Sequence, residues 1–264
     1  MEYIVIVYTV DAFTTKPFKG NPAGVCLVEE FPDIAHMQNI AMELAYSNTA
    51  FVKKLGNNHY AIRWFTVSSE APLCGHATIG SMHILATNDL IDKTREVKFE
   101  SMSGDITATV SESWYDLNFP IYPVTQVVLT DELRAVVNLD PTYTGFAQNC
   151  YFMEFENEEA LAALEPKLER LKKIDCRALI ATSVGTKYDF HSRYFAPSVG
   201  IDEDPVCASA HCRLIPYWSE KLKKIDMIAY QLSSRGGELK CKNLVNRVLI
   251  SGEAVTVMKA NLQI

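Results

Sequence analysis

Two short segments place a cysteine ahead of a run of small residues: Cys74-Gly75-His76-Ala77 and Cys207-Ala208-Ser209-Ala210. Each reads as the start of a helix, where backbone N–H groups lack intrahelical partners and the helix dipole leaves partial positive charge. Both effects hold anions, and residues as small as Gly75 and Ala208 let a carboxylate come close to the backbone. The same field draws a thiol's pKa from about 8.5 toward neutrality. A small carboxylate-bearing metabolite gripped by two such starts would meet a proton-transfer group on either side. Removing and returning a proton at the carbon next to the carboxylate is the chemistry that suits this arrangement. The carbanion's charge spreads onto oxygens already held by donors. Cysteine more often simply packs in a core, and Cys26, Cys150, Cys176, Cys212 and Cys241 are assigned that role.

The elements that must carry these residues occur twice. Arg63-Trp64-Phe65 precedes the first cysteine-headed segment and Arg193-Tyr194-Phe195 precedes the second, about half a chain later. Strand, loop, cysteine and small-residue helix start recur in one order, so the chain reads as two similar halves. Apolar alternation predicts strands over 3–10, 23–28, 49–53, 59–65, 97–100 and 105–110, then over 178–183, 190–195, 227–232, 248–251 and 254–258. Asp33 caps a predicted helix whose apolar positions are Ile34, Met37, Ile40, Ala41 and Leu44. A second helix runs from Cys74 to about Thr87. Asn157 caps a charged stretch reaching Leu171, which Pro166 splits in two, and Pro216 is expected to bend or shift the last turn of a helix over 207–218. Pro120 and Pro123 punctuate the junction. The expected domains are residues 1–118 and 119–264, with the final strand free to pack across the boundary.

The 264 residues carry 25 Lys and Arg against 32 Asp and Glu, a formal charge of −7, with 48% hydrophobic residues. That balance builds a sizeable core and disfavours nucleic acid, whose phosphates need clustered cations. The apolar run Ile4–Val10 is too short for a membrane span and lacks the basic flank of a signal peptide. Seven cysteines without dense spacing suit a cytoplasmic protein with reduced thiols. Walker and dinucleotide motifs are missing. Cys207 and His211 have metal-ligand spacing on one helix face, but no second pair supports a metal site.

Five motifs together resemble the PhzF-like phenazine-biosynthesis isomerase family. They are Val10-Asp11-Ala12-Phe13-Thr14, Lys19-Gly20-Asn21-Pro22-Ala23, Ile62-Arg63-Trp64-Phe65-Thr66, Leu73-Cys74-Gly75-His76-Ala77-Thr78, and Glu203-Asp204-Pro205-Val206 followed by Ser209-Ala210-His211. The resemblance implies an α+β chain of two pseudo-symmetric diaminopimelate-epimerase-like domains. Each has a barrel-like sheet around a central helix, with the site between the two. It also implies proton-transfer isomerisation of a small acid in a biosynthetic process, without metal or organic cofactor, and often as a homodimer. His76, Asp204 and Ser209 match the family's active-site histidine, aspartate and serine. Its general acid/base is a glutamate in Ser-Glu-Thr, and here that stretch reads Ser47-Asn48-Thr49. An amide cannot shuttle a proton near neutral pH. Two mechanisms follow. In one, Cys74 and Cys207 are acid and base on opposite faces. In the other, His76 and Asp204 make a one-sided shift while Asn48 binds substrate. Gly75, Ala208 and Ser209 are assigned to substrate binding. Asp204 could instead cap the following helix. The alternative to an enzyme is a ligand-binding or interaction protein of the same fold that lost catalysis at Asn48.

Overall fold

The computed structural model describes residues 4–263. The chain divides into two compact units: the N-terminal part to Asn118 together with the tail from Ser251, and Phe119–Ile250. The elements run β1 (Ile4–Ala12), β2 (Asn21–Val28), α1 (Ile34–Leu44), β3 (Thr49–Gly56), β4 (His59–Phe65), β5 (Glu70–Ala71) and α2 (Gly75–Thr87). Next come β6 (Val97–Ser101), β7 (Gly104–Ser111), β8 (Trp114–Pro120), β9 (Thr125–Gln126), α3 (Asp131–Arg134), β10 (Tyr143–Ala147) and β11 (Cys150–Glu154). The rest are α4 (Glu158–Ala162), α5 (Leu168–Leu171), β12 (Ala178–Val184), β13 (Phe190–Phe195), α6 (Ala208–Leu222), β14 (Asp226–Gln231), β15 (Gly237–Asn243), β16 (Arg247–Gly252) and β17 (Ala254–Gln263).

The repeat is written in the strand pairing. In the first unit β1–β2 is antiparallel, β2–β3 parallel, β3–β4 antiparallel, β4–β6 parallel and β6–β7 antiparallel. In the second unit β10–β11, β11–β12, β12–β13, β13–β14 and β14–β15 follow the same alternation. Parallel neighbours need a crossover, and the helices supply it: α1 and α2 in one unit, α4 with α5 and then α6 in the other. The repeated arginines do the same job in each unit. Arg63 pairs with both carboxylate oxygens of Glu70 at 2.7 Å, and Arg193 with those of Glu203 at 2.8 and 3.0 Å. Each clamp anchors the loop leading into a central helix.

In the first unit that helix is α2, buried over nearly its whole length from Gly75 to Ala86 and packed against β1, β2, β3 and β17. β17 lies antiparallel to β1 along its full length. A separate apolar layer joins Met37, Ile40 and Ala41 of α1 to Phe51 and Phe65. Ile34, expected on that face, is instead 60% exposed. Asp33 caps α1 by accepting from His36 N at 2.8 Å.

In the second unit Asn157 caps α4, and the chain between α4 and α5 carries Pro166. Helix α6 passes straight through Pro216 to Leu222, four residues beyond the expected end. Proline has no N–H for the carbonyl one turn earlier, which ordinarily costs about 3 kcal/mol. Here that carbonyl, Cys212 O, accepts from Tyr122 N at 2.9 Å, so the orphaned acceptor is satisfied and the helix continues. Among the described residues no helix is long and apolar enough to cross a membrane.

Candidate active site

Among the described residues three helices begin with a side-chain cap: Asp33 on α1, Thr130 on α3 and Asn157 on α4. The two central helices do not. Cys74 precedes α2 in extended backbone (φ −143°, ψ 111°) and Cys207 precedes α6 likewise (φ −99°, ψ 100°), neither with a side-chain cap bond. Cysteine is a poor acceptor, so it holds the first-turn N–H groups only weakly.

Around the α2 start lies a chain of polar groups. Cys74 Sγ is 3.5 Å from His76 Nδ1 and 3.9 Å from Nε2. His76 Nε2 lies 3.1 Å from Ser47 Oγ, which donates to Asn21 Oδ1 at 3.3 Å. The β1–β2 loop sets Asn21 in place. The Asp11 carboxylate accepts from Phe18 N at 2.7 Å, and Gly20 turns the chain at φ +63°, where a Cβ would lie 2.0 Å from Ala12 O. Burial drives the His76 pKa down to about 3, so its ring is neutral at pH 7. Asn48, the residue after Ser47, is 8% exposed, and its Oδ1 is a buried acceptor without a hydrogen-bond partner.

The α6 start is built differently. Cys207 Sγ is 3.4 Å from Ser209 Oγ, and Cys207 N donates to Gln231 Oε1 at 2.9 Å. Gln231 Nε2 donates to Asp204 O at 2.6 Å, so one fully buried amide holds the whole Asp204–Cys207 loop. The cap of α6 is Cys207, so Asp204 does not serve as one. The thiol differs from expectation. Burial, then the Asp204 charge, push the Cys207 pKa well up, although the Ser209 hydroxyl and the Ala210 N–H pull it down. Desolvation outweighs these two hydrogen bonds because the thiol is buried.

Cys74, Gly75 and His76 are thus together in the first unit with Asn48 next to their relay serine, and Asp204, Cys207, Ala208 and Ser209 in the second. His211 does not complete a metal pair with Cys207: its Nδ1 donates to Cys207 O at 2.9 Å and its ring lies beside Phe190. Among the described residues no cluster of three or more His, Cys, Asp and Glu could hold a metal. Sequence reasoning missed Asn21, Ser47 and Gln231 as site residues. Asn21 and Ser47 sit inside quoted motifs, so their positions were visible, while nothing local marks Gln231.

The sequence model of the phenazine biosynthesis-like protein family matches residues 10–260. An uncharacterized isomerase of Halalkalibacterium halodurans is 44% identical, over 97% of each chain. The crystal structure of a phenazine biosynthesis PhzF-family protein from Enterococcus faecalis superposes with a TM-score of 0.95 at 38% identity, covering 99% of this chain and all of that one. A hydroxyproline epimerase from Agrobacterium vitis shares the fold at 9% identity, with a TM-score of 0.66 over 100% of this chain and 94% of its own. The two-unit α+β fold expected from sequence is therefore the one found.

Proposed function

We propose a function from this premise: the chain belongs to the phenazine biosynthesis-like protein family. It is an isomerase or epimerase that moves a proton next to the carboxylate of a small acid. The observation carrying this reading is that, among the described residues, the two long central helices begin at a cysteine without a side-chain cap bond, Cys74 beside an imidazole and Cys207 beside a hydroxyl.

An amide-rich helix start supplies donors for a substrate's anionic oxygens and for the charge that develops as the carbanion forms. Cys207, held protonated by burial and by Asp204, is the proton donor. Cys74 beside a neutral imidazole is the acceptor. A thiol held neutral by burial and a thiol beside a hydrogen-bond acceptor can divide into acid and base in this way. Asn48 supplies its open Oδ1 to an N–H or O–H of the substrate. The same open acceptor favours a second reading, a binding protein of this fold without turnover.

Solvent deuterium exchange separates the two. The protein is incubated in D2O with a panel of amino and hydroxy acids, and the α-carbon is read by NMR. Deuterium at the α-carbon of at least one acid is the expected result, lost in both Cys74→Ser and Cys207→Ser. A ligand that raises the melting temperature without any exchange supports the binding protein. Full exchange retained in both serine variants would remove the thiols from the mechanism.

A further inference from the structure

We propose that Ser47, relayed through Asn21, is a positioning residue that fixes the tautomer of His76 so that Nδ1 presents its lone pair to the Cys74 thiol. Neutral imidazole has one donor nitrogen and one acceptor nitrogen, and its partners decide which is which. The argument starts at the far end of the chain of contacts. Asn21 Oδ1 is an acceptor, so the Ser47 hydroxyl hydrogen points to it. Ser47 Oγ then has only lone pairs for His76 Nε2, 3.1 Å away, and Nε2 must carry the ring hydrogen. Nδ1 is left as the acceptor, with the Cys74 sulfur 3.5 Å away. The order is Asn21 accepting from Ser47, Ser47 accepting from His76, and His76 accepting from Cys74.

The relay changes what the thiol can do. Both groups are neutral at rest; transfer of the thiol proton, against the burial that disfavours the cation, breaks the Cys74 S–H bond and forms N–H on Nδ1, leaving thiolate and imidazolium with no change in total charge. Ser47 Oγ then accepts from a cationic ring, a stronger bond than in the resting state. The serine stands directly before Asn48 in the chain.

This inference rests on the reading of Cys74 and His76 as proton-transfer groups, but its test needs no substrate, so either can fail alone. The full-length protein with ¹⁵N-labelled histidine gives the tautomer from long-range ¹H–¹⁵N spectra. A pyrrole-type Nε2 and a pyridine-type Nδ1 on His76 are expected. Iodoacetamide labelling of Cys74 against pH, resolved by peptide mass spectrometry, gives its reactivity. Ser47→Ala should mix the tautomers and slow labelling at pH 7 about tenfold, the worth of one hydrogen bond to a charged group. Ser47→Thr keeps the hydroxyl and should restore both. A pyrrole-type Nδ1 in the unaltered protein overturns the proposal, and that spectrum decides even if the alanine variant does not fold. Labelling unchanged in a folded Ser47→Ala would overturn it as well.

Discussion

Acidification should destabilise this protein well before its carboxylates titrate. His76 and His211 are both buried, 5% and 0% exposed. Burial lowers their pKa values from 6.5 to about 3 and about 4, although the bond from His211 to Cys207 O partly offsets the second. Their neutral forms are favoured in the folded state, while in the unfolded chain each takes up a proton below pH 6.5. The stability they contribute is therefore fully present above pH 6.5 and drains away as pH falls toward 3 to 4. At pH 5 an unfolded imidazole is stabilised by its proton by about 2 kcal/mol, from 1.36 kcal/mol per pKa unit, and the folded ones gain almost nothing. Two such groups give about 4 kcal/mol between pH 7 and pH 5, against a typical total of about 5–15 kcal/mol. His83, also lowered by burial to about 4 but only partly enclosed, works in the same direction.

Urea unfolding followed at pH 7, 6 and 5 reads this directly. With a slope of about 3 kcal/mol per molar, the midpoint should fall by more than about 1 M from pH 7 to pH 5. His76→Gln changes the absolute stability through its lost contacts, but the diagnostic is the pH slope, which should shrink by about 2 kcal/mol over that window. A midpoint that stays level from pH 7 to pH 5 would refute the reasoning. So would a variant that keeps the whole slope, because the buried imidazole would then be titrating as if in water.

Two other perturbations follow from single atoms. A buried acceptor without a partner costs about 1–3 kcal/mol, so Asn48→Leu should unfold at the same or a higher denaturant concentration. The same variant should lose any stabilisation by ligand, and a folded variant with full ligand response would sever Asn48 from binding. Asn48→Glu should raise isomerase-type turnover by about 10²–10⁴-fold; an unchanged rate would mean a carboxylate was not the missing component. Pro216→Ala should gain at most about 1 kcal/mol rather than about 3, because Tyr122 N already serves the carbonyl that proline leaves open. A gain near the larger figure in denaturant unfolding would show that contact to be ineffective.

Local chemistry was legible wherever it is decided by neighbours along the chain. Asp33 and Asn157 announce their helices because a short oxygen-bearing side chain at that point has one obvious donor to satisfy. Pro166 was a secure break between α4 and α5, yet Pro216 was not, since its cost is met by Tyr122 from outside the helix. β10 and β11 went unread because their turn, Gln148-Asn149 with φ of 46° and 59°, lacks the glycine that usually marks such a hairpin. At the site, the cysteine-headed helix starts could be found from spacing. The direction of the Cys207 shift could not, because it is set first by burial of the sulfur and then by the Asp204 charge, and burial depends on packing that spacing along the chain does not show.

The duplication itself poses a problem that the residue after each helix start resolves. A reaction that takes a proton from one side of a carbon and returns it on the other needs partners in opposite states at one pH. Two units with identical surroundings would give two thiols with the same pKa, and the same proton state. Here the second residue of each central helix differs: His76 in α2 and Ser209 in α6. Imidazole beside Cys74 can accept a proton. The serine hydroxyl beside Cys207 can only steady a charge that burial and Asp204 already oppose. The difference at this position leaves Cys74 beside a hydrogen-bond acceptor and Cys207 beside a hydroxyl, so the two thiols of the repeated scaffold are not equivalent.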